Sequence, residues 1–380
     1  MRVGMITTFQ TPCGVAKYTE ELCYELNDLV DLTVFGERIQ SNSIEDPPIY
    51  PKRKPIFLNR CWSRADKCFG ELYSDIINSV SPFDVVHIQF ESAMYNEGMY
   101  SQSALLTFLN KLKEAEIKTV MTLHNVPQFN AGIPYTNWYK NTGCRFIVTN
   151  DLMKKELYKW QPEVQSTTIK LGSTLFEPME INKAKDLIVI PRNKFVITQT
   201  GFYGYDKGML GLIEAMPRIL EKIPEAYLVL AGSIHPLAPP IHRTYLRKCI
   251  QTAVHLGLQN YIRFTGKFLN EQDLSLYLSA SDIVAVNHQF VFGLFSSSAS
   301  AHRAIGAGKP MIMNYNDVRL SEFIDGKHCL KAEDKDIPDG VFMLYNMPEL
   351  REKLYKGASE YAKETSYLEI AKQHLKVYKK

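Results

Sequence analysis

The stretch FVITQTGFYGYDKGMLGLIEA, residues 195–215, decides the fold. Phe195, Val196, Ile197, Thr198 and Gln199 make a mostly apolar, β-branched run, the pattern of a buried strand. A glycine-bearing loop follows. Leu210, Leu212, Ile213 and Met216 then fall at the spacing of an amphipathic helix. A helix N-terminus placed after such a loop offers unpaired N–H groups and a partial positive charge, which suit a phosphate, and Lys207 adds a full charge at the turn. Taken alone, the loop reads better as an ordinary βα turn in which Gly201, Gly204 and Gly208 supply backbone freedom and Lys207 is solvated. An anion site needs support from elsewhere in the chain.

Working outward, the same unit recurs. On the carboxyl side, helix 209–223, strand 226–231, helix 242–256, strand 261–265, helix 271–279 and strand 283–286 follow in alternation. Residues 287–312, NHQFVFGLFSSSASAHRAIGAGKPMI, then place a serine loop before a helix holding Ala299, Ala301, Ala304 and Ile305. Serine hydroxyls and free amides at that helix start suit a pyrophosphate, and a serine-rich N-cap also suits an ordinary helix. Two facing anion loops, one from Gly201 to Lys207 and one holding Ser296, Ser297, Ser298 and Ala299, argue for a site more strongly than either alone.

On the amino side the chain opens with strand 2–7, a loop ending on Gly14 and helix 15–29, then strand 31–35. Residues 37–67 are polar, proline-bearing and basic and read as a surface excursion. Helix 68–79 precedes the strand 83–91, FDVVHIQFE, whose carboxyl end carries Gln89 and Glu91. Strand 118–123 ends on His124 and Asn125. Open parallel sheets bind ligands beyond the carboxyl ends of their strands, so these polar residues are site candidates. His124 fits either a sugar or phosphate contact or a strand-end cap. Strand 146–149, helix 151–160 and strand 167–171 complete this half. The expected organisation is α/β: an amino-terminal Rossmann-like domain over 1–175, a linker over 176–193, a second Rossmann-like domain over 194–360, and a terminal helix, 361–380, crossing back.

Composition narrows the function classes. A chain of 380 residues with 45% hydrophobic residues can fill two cores, and a formal charge of +3 is too slight for a dedicated nucleic-acid binder. Seven scattered cysteines without a CxxC pair indicate neither a disulfide framework nor a zinc site. The opening MRVGMITTFQ lacks a signal-peptide core, and no apolar run reaches membrane-spanning length. A soluble cytoplasmic protein is expected.

The order and spacing of CGVAKYTEEL, VVHIQFES, TLHNV, GF(x)4KG with LIEA after it, and AIGAGKPMI resemble the GT4 family of retaining, nucleotide-sugar-dependent glycosyltransferases, over nearly the whole chain. The resemblance implies the GT-B fold, two doubly wound domains facing an interdomain cleft that takes the donor. It implies that Gly14 lies near the donor phosphates, that His124 contacts the donor sugar, and that Lys207 binds the diphosphate. Two departures stand out. Phe202 occupies a position where the family often has arginine, and the paired-glutamate slots hold Phe295 and Arg303, with Ser297, Ser298 and Ala299 forming a variant donor loop.

The resemblance implies a mechanism in which Lys207 and loop amides stabilise the departing nucleoside diphosphate, and a donor phosphate takes the acceptor's proton on the same face. No cofactor or metal is expected beyond a UDP- or GDP-sugar co-substrate, and the triplet Asp334, Lys335 and Asp336 reads as surface. Gln89, Glu91 and Tyr95, with Tyr100 on the same loop, are the acceptor candidates. The acceptor itself is open among glycan, lipid-linked glycan and modified nucleic acid. Arg53 and Arg60 in the basic excursion could serve peripheral membrane or nucleic-acid phosphates. A nucleotide-sugar-binding protein without turnover is the alternative that the lost glutamates suggest. A dinucleotide oxidoreductase ranks last, since neither half shows a clean GxGxxG after its first strand.

Overall fold

A computed structural model describes residues 1–38, 54–63, 70–78, 82–95, 103–127, 142–177, 179–236, 238–289 and 294–380. The chain divides into two compact units. One comprises Met1–Gly172, Phe292–Ser297 and Tyr367–Lys380; the other comprises Ser173–Val291 and Ser298–Ser366.

The first unit is built on a seven-stranded parallel sheet. Its strands are β1 (Arg2–Thr7), β2 (Asp31–Glu37), β3 (Phe57–Trp62), β4 (Val85–Phe90), β5 (Lys118–Leu123), β7 (Arg145–Val148) and β8 (Ser166–Thr168), in the order β3-β2-β1-β4-β5-β7-β8. The central strands are buried along their length, as a sheet covered on both faces requires. Helices α1 (Gly14–Leu26), α2 (Gly70–Ile77), α3 (Ser92–Tyr95), α4 (Ser103–Glu114) and α5 (Asp151–Trp160) follow the strands. A short strand β6 (Asn125–Pro127) pairs antiparallel with β13 (Leu294–Ser296). The last helix, α13 (Tyr367–Lys379), packs on this unit. Ile370, Ala371, Val377 and Tyr378 join Val3, Met5, Leu22 and Val34 in one core layer. The Tyr378 hydroxyl lies 2.6 Å from His87 Nδ1 on β4.

The second unit holds a six-stranded parallel sheet, β11-β10-β9-β12-β14-β15, from β9 (Phe195–Thr200), β10 (Ala226–Ala231), β11 (Ile262–Phe264), β12 (Ile283–Val286), β14 (Met311–Asn314) and β15 (Leu330–Ala332). Its helices are α6 (Ile181–Leu187), α7 (Met209–Lys222), α8 (Pro240–His255), α9 (Glu271–Ser279), α10 (Ala299–Gly306), α11 (Ile337–Asn346) and α12 (Pro348–Glu364). Along α7 the buried residues Met209, Leu212, Ile213, Met216 and Ile219 follow the helical period and pack on the sheet.

Two segments differ from the sequence reading. The excursion over 37–67 contains β3, which pairs in parallel with β2 and buries Cys61 and Trp62. Its flanking prolines and lysines give the window the composition of a loop. Arg60 on this strand donates to the carbonyls of Glu37 (2.9 Å) and Phe9 (3.1 Å), so it fastens the fold and does not await an external phosphate. Arg53 and Tyr100 lie outside the described residues. The segment 176–193 carries α6, which Glu180 caps by accepting from the N–H groups of Asn182 and Lys183. Buried Lys185 donates to Asp282 Oδ2 (3.0 Å) and Lys194 O (2.7 Å), tying the helix to the second unit. Seven residues with three charges are too few to show a period. Among the described residues no helix is long and apolar enough to cross a membrane.

In each sheet the strand order reverses once, between β1 and β4 and between β9 and β12. The loops beyond the carboxyl ends of those strands are where doubly wound folds hold ligands.

Candidate functional site

In the second unit the β9 loop begins at Gly201 with φ +118°, a conformation that L side chains rarely adopt. A Cβ there would come 3.8 Å from that of Ser300, so the loop lies beside the start of α10. Tyr205–Lys207 form one 3-10 turn, which Gly208 (φ +66°) ends before α7 begins. A Cβ on Gly208 would stand 1.7 Å from the Asn287 carbonyl, and Asn287 Nδ2 donates to the Gly208 carbonyl at 3.1 Å. The β9 and β12 loops are thereby laced together.

Lys207 does not stand alone. Its Nζ lies 3.1 Å from Asp206 Oδ2, and Arg319 Nη1 reaches the same oxygen at 3.1 Å. Arg319 comes from a 3-10 turn after β14. Its other nitrogens hold Asp317, the Asp206 carbonyl and the Gln289 carbonyl. Burial raises the pKa of Asp206, but Lys207 and Arg319 outweigh it and hold the carboxyl below its ordinary range. His288 is buried beside this group, with Nε2 3.1 Å from Ser300 Oγ and Nδ1 3.4 Å from Ser298 Oγ. Burial first, then Lys207 and Arg319, push its pKa well below the usual value, so the ring is neutral. Ser298 caps α10 by accepting from the N–H of Ala301 at 3.2 Å. By helix geometry the earlier N–H groups, at exposed Ala299 and at Ser300, remain for an anion.

Other predicted donor residues have different surroundings. Ser296 and Ser297 are spent in the first unit. Ser296 lies on β13, its carbonyl accepts from Asn150 Nδ2, and the Ser297 hydroxyl meets Thr149 and Asn150 at 2.9 Å. Of the predicted serine loop, Ser298 and Ala299 remain at the start of α10, with Ser300 beside them. Phe202 packs against Phe268 and His235 and brings no charge. Arg303 pairs with Glu271 at 2.6 Å, so the carboxylate beside that slot comes from α9. Glu271 Oε2 is buried with no hydrogen-bond partner among the described residues. Asp334 accepts from Gln289 and Asn314 and is exposed, as are Lys335 and Asp336, so the triplet lies at the surface. Among the described residues no group of three His, Cys, Asp or Glu is arranged to hold a metal ion.

The first unit has its own constellation at the ends of β1, β4 and β5. His124 Nε2 lies 2.8 Å from Gln89 Oε1, and its ring meets Tyr18 edge-on at 5.1 Å. Burial, reinforced by His374, brings the His124 pKa down to about 3. A neutral imidazole donating through Nε2 offers Nδ1 as an acceptor, which suits a sugar hydroxyl better than a phosphate. Gln89 is fully buried as its prop, so it is not an acceptor contact. Tyr95 is also fully buried, stacked on Trp62 and Phe90, and is withdrawn from the acceptor surface for the same reason. Glu91 stays partly exposed and accepts from Asn125 Nδ2 at 2.6 Å. Gly14 opens α1 with no side chain capping that helix, and a Cβ there would meet nothing within 4 Å. Sequence reasoning passed over Thr8, Thr11 and Tyr18, whose hydroxyls are buried here without partners among the described residues. Their position beyond β1 was the available signal. Gln10 in the same loop has φ +54°, and its N–H donates to Glu20 Oε1.

These two sheets and their switch points can be set against known proteins. Residues 180–361 match the family model of glycosyl transferases group 1. The fold is GT-B. The Anabaena protein HepE, solved in complex with UDP and glucose, superposes with a TM-score of 0.75 at 15% identity, covering 100% of this chain and 99% of that one. Sucrose-phosphate synthase from Thermosynechococcus elongatus gives 0.72 at 17%, covering 100% and 98%. A UDP-forming α,α-trehalose-phosphate synthase from Burkholderia xenovorans gives 0.72 at 12%, with the same coverage. No curated protein matches the chain. The matched family segment contains Lys207, His288, the start of α10 and Arg319.

Proposed function

We propose that this GT-B chain moves a sugar from a nucleoside-diphosphate sugar to an acceptor hydroxyl with retention, in the manner of GT4 enzymes. One observation carries the reading. At the β9/β12 switch point, inside the segment that matches a glycosyltransferase family, the Lys207 loop and the start of α10 lie side by side. A diphosphate leaving from there gains negative charge where an ammonium and backbone N–H groups are already oriented. A donor phosphate then takes the acceptor's proton on the same face. No cofactor or metal ion enters this scheme. His124 is the amino-terminal unit's contact to the transferred sugar, and Glu91 with Asn125 is what remains of its acceptor side. HepE was solved with UDP, and the trehalose-phosphate synthase is UDP-forming, so UDP-sugars lead the donor list and GDP-sugars follow. A glycan or lipid-linked glycan acceptor and a cytoplasmic location complete the proposal, the latter drawing on the cysteines among the described residues, all of which are unpaired.

The rival reading, donor binding without turnover, draws on Arg303 standing where the resemblance places a carboxylate. Thermal unfolding with UDP- and GDP-sugars, with NAD(P)H as control, tests both. A ligand at 100 times its Kd stabilises the fold by roughly 2.7 kcal/mol. Stabilisation together with slow release of nucleoside diphosphate supports the transferase. Stabilisation with no release in the presence of any sugar acceptor supports the rival. Stabilisation by NAD(P)H alone overturns both.

A further inference from the structure

Asp206 and Arg319 have no part in the scheme above, yet they surround its key charge. The Asp206 carboxylate is mostly buried and shares one oxygen between Lys207 and Arg319, each at 3.1 Å. Lys207 is the more exposed partner, with 27% of its side chain accessible against 11% for Arg319. Arg319 is also pinned to Asp317 and to two backbone carbonyls, and so cannot swing away. Lys207 has no such second anchor through its ammonium among the described residues. A phosphate arriving beside the loop would therefore compete with Asp206 for Lys207. A mostly buried carboxylate that lost its only counter-charge would resist that exchange, because an unpaired buried charge is costly. With Arg319 in place it need not.

Resting on the donor reading of the Lys207 loop, we propose that Asp206 parks Lys207 while the site is empty and that Arg319, a positioning residue, holds the Asp206 charge once Lys207 moves to the donor's diphosphate. The ammonium thus stays oriented in the empty protein, and its transfer leaves no uncompensated carboxylate behind. Arg319 acts on affinity through Asp206 alone and does not touch the nucleotide.

The test is a double-mutant cycle read by calorimetric titration of the whole chain with UDP and GDP, each variant's folding being checked by thermal melting. Arg319→Gln is expected to weaken diphosphate binding about tenfold, because Asp206 then retains Lys207. Asp206→Asn, with no charge to hold Lys207, is expected to bind at least as tightly as the wild type. Adding Arg319→Gln to Asp206→Asn is expected to change affinity less than about twofold. Arg319→Lys is expected to recover part of the loss. Equal weakening by Arg319→Gln in both backgrounds would overturn the proposal, since direct phosphate contact or simple structural support would persist without Asp206. If Arg319→Gln fails to fold, Asp206→Asn decides alone, and a tenfold loss of affinity there is the contrary result. Lys207→Ala separates the two layers. Should the wild type bind neither nucleotide, or Lys207→Ala bind as the wild type does, the donor reading and this proposal fall together. A Lys207-dependent affinity without coupling between Asp206 and Arg319 removes this proposal only.

Discussion

Gly208 and Gly14 both stand at helix starts beside candidate phosphate positions, and the structure gives them opposite roles. Gly208 has positive φ and backbone 1.7 Å from where a Cβ would sit, whereas Gly14 faces open space. Gly208→Ala is expected to destabilise the carboxyl-terminal unit by about 2 kcal/mol or more, seen as a lower urea midpoint. Gly14→Ala is expected to leave that midpoint unchanged; any loss there should appear in donor affinity. Tyr95 offers a second contrast. Its hydroxyl meets the Gln89 carbonyl at 3.2 Å inside the core, so Tyr95→Phe should cost on the order of 1 kcal/mol of stability and leave the acceptor KM unmoved. A rise in that KM would restore Tyr95 to the acceptor surface. The sequence pointed to the strand ends that carry Gln89 and His124, but not to which side chain supports the other. That depends on depth, and alternation along a strand buried on both faces does not report depth.

At the scale of elements, most strands and helices were legible because each is one buried βα unit with a long apolar signal. What escaped was mostly short or paired from afar, the ten-residue helix α11 being the exception. β3, α6 and the β6–β13 ribbon have between three and seven residues and draw their stability from partners distant in sequence. Arg319 escaped for the same reason, since it meets Asp206 from 113 residues away. Helix α13 rests on a similar long-range fit. A Cβ on Gly172 would come 2.4 Å from the Tyr367 ring at the start of that helix. Gly172→Ala is expected to lower hydrogen-exchange protection in α13 and in α1 beneath it, and Tyr367→Ala should remove most of that penalty. Equal penalties in both backgrounds would mean that Gly172 serves something other than the docking of α13.

For the whole molecule, buried neutral histidines set the response to acid. His124 is held down to about 3 and His374 to about 4, while His87 and His288 are pushed well below the ordinary value, in each case chiefly by burial. The unfolded chain protonates these rings near pH 6.5 and the folded chain does not, so it is the unfolded state that gains protons below that pH. Their contribution is complete above about pH 6.5 and is lost as pH falls toward 4, at up to roughly 1.4 kcal/mol per pH unit for each ring. Urea midpoints should therefore drop steeply between pH 7 and 5, and His374→Gln should flatten the slope. An unchanged midpoint over that range would contradict the burial of these groups.

The central claim is that a nucleoside diphosphate sits against the Lys207 loop and the start of α10. A crystal structure of the chain grown with UDP tests it most directly. The account expects the phosphates within hydrogen-bonding distance of Lys207 Nζ and of the Ala299 or Ser300 N–H, with Lys207 released from Asp206. UDP bound away from the carboxyl ends of β9 and β12, or on that surface without Lys207, would contradict it.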